Sequence, residues 1–157
     1  MANFNDAIEK TLINEGGYVN DPNDTGGETK YGISKRAYPN VDIKNLTEDE
    51  AKEIYKRDYW DKIQGDAIQS QLLAEELFDT SVNMGVRTAS KLIQGCVGVH
   101  PDGVIGNKTL QAINYESEEL ILLRFKLAKI ARYVRLANKR PQNRKFLRGW
   151  INRTLGA

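Results

Sequence analysis

Apolar positions recur along most of the chain at helical spacing. Phe4, Ile8 and Leu12, with Ala7 and Thr11 alongside, place one stripe on a helix over residues 3–14, which Asn3 or Asn5 can cap. Three residues further, the row reaches Glu15, so a carboxylate replaces an apolar side chain at the end of a core-facing stripe. Gly16 and Gly17 follow, and glycine readily takes the left-handed conformation that ends a helix. NDPNDTGG is then a dense turn signal. In ETKYGI, Thr29, Tyr31 and Ile33 alternate with Glu28, Lys30 and Gly32, the two-residue period of a strand. A small hairpin over residues 16–33 therefore hangs from the end of the first helix.

The rest reads as helices. After a short turn capped by Ser34 and closed by Pro39, residues 46–63 form a helix with a Thr47–Glu50 capping box and a stripe of Ala51, Ile54, Tyr55 and Tyr59. Residues 69–85 form a second, with Leu72, Leu73, Leu77, Val82 and Met84 largely buried and Gly85 as the stop. A third covers 86–98, capped by Thr88 and ended by Gly95 or Gly98. HPDGVIGN is a turn cluster, and Asn107 caps the helix KTLQAINY. The longest helix starts at Ser117 with Leu120, Ile121, Leu123, Leu127, Ile130, Ala131, Val134 and Leu136 as its stripe. Beyond Pro141, Phe146, Leu147, Trp150 and Ile151 mark a last helix. The pattern predicts a mainly α fold (α+β) with one small β-hairpin. It contains no repeat and no low-complexity linker, only a soft joint near residues 86–95.

Composition narrows the class. A chain of 157 residues, 40% apolar and 28% charged, reads as one soluble globular domain. The first twenty residues hold no apolar run, which argues against a signal peptide, and no stretch approaches the length of a membrane span. One cysteine, Cys96, permits no internal disulfide and suits a reducing cytoplasm. Net charge is only +2 but is polarised. The first 123 residues hold twelve Lys and Arg against 21 acids, a net −9, whereas residues 124–153 hold eleven Lys and Arg and no acid. Such a segment suits a polyanionic partner, or is a solvated face balancing an acidic body. On the longest helix Lys126, Lys129, Arg132 and Arg135 fall on one slowly drifting face, expected to be exposed and to meet anionic envelope polymers. No nucleic-acid-binding motif accompanies the charge, so nucleic acid is not expected as a partner. A monomer is expected.

Metal and cofactor chemistry finds no footing. DPNDTG imitates the start of a calcium loop, but the twelfth position is Gly32, where a bidentate Glu belongs. The single histidine, His100, excludes His-rich zinc sites. His100 and Cys96 share one short loop, which does not suit a thiol peptidase, and Cys96 reads as a small buried residue. No cofactor or metal is expected.

The residues that do carry chemistry lie around the first helix end. Glu15, Asp24 and Thr29 are separated by eight and four residues. Partial burial and the negative end of the helix dipole both disfavour ionised Glu15, which suits a general acid; the alternative is a solvated Glu at a frayed helix end. Glycosidic hydrolysis needs two carboxyl groups across a cleft, one to protonate the leaving oxygen and one to activate water or stabilise the transition state. A threonine hydroxyl beside them can hold that water.

The Glu–Asp–Thr spacing resembles the catalytic pattern of phage-type lysozymes, the type case of this chemistry. EGGYVNDPNDTGGETKYGIS (15–34) resembles the signature of the family 108 glycoside hydrolases, peptidoglycan-cleaving muramidases of bacteria and their phages. YKRDYWDKIQGD (55–66), LFDTSVNMG (77–85) and VGVHPDGVIGNKTLQAI (97–113) are similar to the same family, and the DG-x-x-G-x-x-T piece is also seen in peptidoglycan-binding modules. The resemblance implies a lysozyme-like fold: a catalytic lobe over 1–90 and a helical, peptidoglycan-domain-like lobe over 91–157, packed as one domain with the hairpin at the cleft. It implies catalytic roles for Glu15, Asp24 and Thr29. Tyr18, Tyr31, Trp60, Asp79 and Asn83 are expected to bind substrate, Trp60 being either a sugar-stacking platform or core. Asp79 and Asn83 otherwise read as ordinary helix-surface residues. It also implies synthesis in the cytoplasm and action on the wall after passage through a separately encoded pore. A wall-binding module without activity is the alternative.

Overall fold

The computed structural model describes residues 1–15, 17–20 and 27–156, and of residues 13–15 only the backbone. Seven α-helices and one two-stranded sheet occur among the described residues, so the expectation of a mainly α fold with one small hairpin is met. Helix α1 (Phe4–Glu15) starts on Asn3, whose side-chain oxygen accepts from Asn5 N at 2.9 Å. Its start is also tied down. Ala2 N donates to Ile68 O at 2.8 Å, and Asn3 exchanges bonds of 2.7 and 3.1 Å with the Gln71 side chain.

Strands β1 (Thr29–Lys30) and β2 (Ile33–Ser34) pair antiparallel with Thr29 opposite Ser34. The single strand expected over 28–33 is thus two, folded back at Tyr31 (φ 52°) and Gly32 (φ 76°). Two consecutive positive φ values make the tight turn whose twist matches that of paired strands. Ser34 then caps the next turn, accepting from Ala37 N at 3.2 Å.

Helix α2 (Glu48–Tyr55) begins with the Thr47–Glu50 capping box, Thr47 N donating to Glu50 at 2.8 Å, and widens into a π-helical turn over Lys56–Trp60. Helix α3 (Gln71–Met84) is capped by Ser70. It buries Leu73 and Leu77 as expected, but Leu72 faces outward. Helix α4 (Val86–Cys96) starts directly after Gly85 (φ 84°), so Thr88 lies inside it and does not cap it. Helices α5 (Asn107–Tyr115), α6 (Glu118–Lys139) and α7 (Arg144–Leu155) complete the chain, with α6 capped by Ser117. One hydrophobic core runs from Phe4 and Ile8 through Tyr55, Trp60 and Phe78 to Ile93, Ile113, Ile121 and Phe125, without a break near residues 86–95.

Helix α6 is turned relative to expectation. Ile121, Phe125, Lys129 and Ala137 face inward, while Leu120, Leu123, Leu127 and Val134 are exposed. The basic row is therefore not an exposed face. Lys129 is buried in an ion pair with Glu76 of α3, and Arg132 is half-buried with its Nε enclosed. Phe125 and the Lys129–Glu76 pair fill the space against α3 and α4, and the leucines are left outside.

Candidate active site

Helix α1 sets the position of Glu15. Burial of Phe4, Ala7, Ile8 and Thr11 against α3 fixes its rotation, and Glu15 is its last helical residue. The side chain of Glu15 and all of Asp24 lie outside the described residues. What is described is the frame around them. Val19 and Thr29 exchange backbone hydrogen bonds of 2.8 Å, which brings residue 19, shortly after α1, against the start of β1. Thr29, half-buried, donates its hydroxyl to Gly27 O at 3.4 Å.

The two tyrosines flank this frame differently. Tyr18 is exposed and donates to Glu28 Oε1 at 3.0 Å; that bond and the nearby carboxylate hold its phenol above the ordinary pKa. Tyr31 sits at the tight turn, where its carbonyl accepts from the buried Tyr55 hydroxyl at 2.9 Å. Its half-buried ring has the Lys30 ammonium 5.5 Å from the centroid. Glu28 is a residue the sequence reading passed over. It stands beside Thr29 and its only signal was its place on the polar side of the strand pattern.

Asp79 and Asn83 do meet. Asn83 Nδ2 donates to Asp79 O at 2.7 Å and to Asp79 Oδ2 at 3.1 Å, while Arg153 of α7 holds the other carboxylate oxygen at 3.0 Å. Asp79 lines a hollow of about 200 Å³ between α1 and α3, with Lys10, Thr11, Glu75 and Glu76. Lys10 and Glu75 pair across it at 2.5 Å. Thr11 stands one helical turn before Glu15.

Trp60 belongs to the core and not to a sugar platform. It is 0% exposed, meets Phe4 and Phe78 edge-on with centroids 5.7 Å away, and donates Nε1–H to Asp66 at 2.7 Å. Gly65 packs on its face so closely that a Cβ there would overlap the indole. A ring with both faces covered offers no surface for a pyranose.

The DG-x-x-G-x-x-T segment is organised from beneath by Gln94, a buried residue of α4 that the sequence reading did not single out. Its amide donates to Asp102 at 2.8 Å, to Val104 O at 3.0 Å and to Thr109 at 3.2 Å, and its oxygen accepts from Gly103 N at 2.9 Å. The Gln94 amide and Val104 N–H hold the Asp102 carboxyl below the usual carboxylate range. Gly103 has φ 85° and lies against Arg87, so the glycine is a steric requirement of this turn.

Comparison with known proteins agrees with this anatomy. Residues 8–85 match the model of glycosyl hydrolase 108, and residues 88–155 match a domain described as a predicted peptidoglycan domain. A solved structure of SagA from Brucella abortus superposes with a TM-score of 0.73 at 30% identity, covering 98% of this chain and 94% of that one. No curated protein matches the chain. Mainly helical, with a hairpin after α1 and a peptidoglycan domain behind it, the molecule has the lysozyme-like fold of a glycoside hydrolase that acts on peptidoglycan. It belongs to the glycosyl hydrolase 108 family.

Proposed function

We propose that the chain is an N-acetylmuramidase that cleaves the β-1,4 bond between N-acetylmuramic acid and N-acetylglucosamine. The observation that carries this reading is a core-packed α1 whose last helical residue is Glu15, followed closely by the Val19–Thr29 pairing, within the stretch matched to the hydrolase family. Glu15 acts as general acid on the leaving oxygen. Asp24 is the second carboxylate, and the Thr29 hydroxyl positions water. Tyr18, Tyr31, Asp79 and Asn83 line the approach of the glycan. In the cell the enzyme reaches the wall through a separately encoded pore, in the manner of a phage or prophage lysin.

Mass spectrometry of digested peptidoglycan tests the bond. Reducing-end muramic acid is expected; a 1,6-anhydro end would make the enzyme a lytic transglycosylase, and a reducing glucosamine end a glucosaminidase. Glu15→Gln keeps the shape of the side chain but has no proton to give, so wall cleavage falls by roughly a hundredfold or more. Cleavage within a few-fold of wild type would remove Glu15 from its role.

A further inference from the structure

Helix α6 presents to solvent a row that its sequence suggests should be core. Leu123 is 56% and Leu127 67% exposed, and Leu120 and Val134 continue the row on the same side. At 1.5 Å per residue the stripe is about 21 Å long. On α7, which packs against α6, Phe146 adds an exposed ring beside Trp150, with the Lys145 ammonium 4.9 Å over it. At helical spacing Arg124 and Arg135 border the stripe on one side and the half-buried Lys126 on the other. Among the described residues Arg135, Lys139, Arg140, Arg144, Lys145 and Arg148 have no carboxylate partner. Between Arg124 and Arg153 the chain carries no acid at all.

We infer that this α6–α7 face docks on the surface of an anionic phospholipid bilayer. A partner for this face must supply both apolar material and negative charge. A polyanionic polymer would engage the cations but leave the leucines in water. A second copy would cover the leucines but bring two strongly basic segments together. Anionic phospholipid supplies both, since a basic amphipathic face lies in the interfacial plane with its apolar side at the acyl boundary. The contact is peripheral: no helix of the described residues is long and apolar enough to cross a membrane. The acidic start of α6, at Glu118 and Glu119, with Glu116 just before it, orients the basic C-terminal end of the helix towards the lipid.

Co-sedimentation of the whole chain with vesicles tests the proposal, using pure phosphatidylcholine against phosphatidylcholine mixed with phosphatidylglycerol. Binding is expected to the mixed vesicles and not to the neutral ones. The pair Leu123→Gln and Leu127→Gln should lower the bound fraction on the order of tenfold. Arg135→Gln with Lys139→Gln and Arg140→Gln should lower it comparably and flatten its dependence on salt. Thermal melts by circular dichroism check folding, and Leu127→Ser alone carries the test if the leucine pair does not fold. Equal binding to both vesicles, binding to neither, or a leucine variant that binds as wild type overturns the proposal. So does a dimer in sedimentation velocity that the leucine variant dissociates, which would assign the stripe to a second copy. The assay contains no wall and reads no cleavage, so its failure leaves the muramidase reading standing, and failure of that reading leaves this one standing.

Discussion

Helices α1 and α6 look alike in sequence and behave in opposite ways. Both carry apolar residues at three- and four-residue spacing. On α1 that row is core, and its one anomaly, a carboxylate at the end, falls at the candidate site. On α6 a second apolar row, of Leu120, Leu123, Leu127 and Val134, faces water, and the inward side includes a lysine. The difference lies in what each helix meets. Helix α1 packs on α3 beside the aromatic cluster of Phe4, Trp60 and Phe78, and its inward face is apolar apart from Thr11, with its polar ties to α3 at Asn3 and Lys10 lying at the exposed margin. Helix α6 meets α3 at Glu76, and the buried Lys129–Glu76 pair, with Phe125 next to it, selects the other face. Periodicity counts apolar residues, whereas rotation depends on where the partners are.

The largest expected effect breaks the comparison at its polar member. Lys129→Ala leaves the Glu76 carboxylate partly buried without its cation, and should cost about 3–5 kcal/mol in urea unfolding. Lys129→Met together with Glu76→Gln removes both charges and should recover most of that loss. A double variant no more stable than Lys129→Ala would show that packing, not pairing, sets the rotation of α6.

Next comes the contrast between the two apolar rows. Ile8→Ala on α1 should cost about 2–5 kcal/mol, because it opens a cavity beside the aromatic cluster. Leu127→Ala on α6 should change stability by less than about 0.5 kcal/mol, as surface substitutions do. A large loss at Leu127 would mean the stripe is covered in the folded molecule.

The smallest effect concerns acid. Residues 124–153 hold no carboxylate, so stability that titrates at low pH must come from the rest of the chain. Asp58 has its carboxyl lowered first by the Arg57 guanidinium, at 2.7 Å, and also by the Tyr38 hydroxyl. A depressed folded pKa stabilises fully above the unfolded value, about 3.9, and the contribution is lost as pH falls through the lower folded value. Asp58→Asn should therefore flatten the pH dependence of the melting temperature below about pH 4 and leave it nearly unchanged near neutrality. An unchanged acid slope would move the effect to Asp102.

These helices also mark how far the sequence was legible. Some caps were readable because their chemistry is local: Thr47 with Glu50, Ser117 and the start of α1 follow from neighbours within a few residues, whereas Thr88 and Asn107 lie inside their helices, which start at Val86 and Asn107 after Gly85 and Gly106, and the Ser70 cap was not foreseen. The turn at Tyr31–Gly32 was missed because alternation continued through it, and a tyrosine at positive φ carries no signal of its own. Trp60 showed its place only when Gly65 and Phe78 were brought against it. Gln94 was invisible for the same reason, since its four partners lie eight to fifteen residues away. For the candidate site, the Glu15, Asp24 and Thr29 spacing stands out in the sequence as a motif, while the Tyr18–Glu28 bond needed the hairpin in place and the hollow beside Asp79 needed α1 packed on α3.

The clamp at the start of α1 has a mechanical consequence. A twelve-residue helix is a rod of about 18 Å. It is fastened at its near end by Ala2 to Ile68 and by Asn3 to Gln71, and it carries Glu15 at its far end. Such a rod is a lever, and a tilt of about 5° at the fastening sweeps its tip by about 1.6 Å. A displacement of about 1 Å can cost a hundredfold where reacting atoms must be aligned. If Glu15 is the acid proposed above, its aim depends on joints at the opposite end of its helix, and a loosened Gln71 would act on it from a full rod's length away.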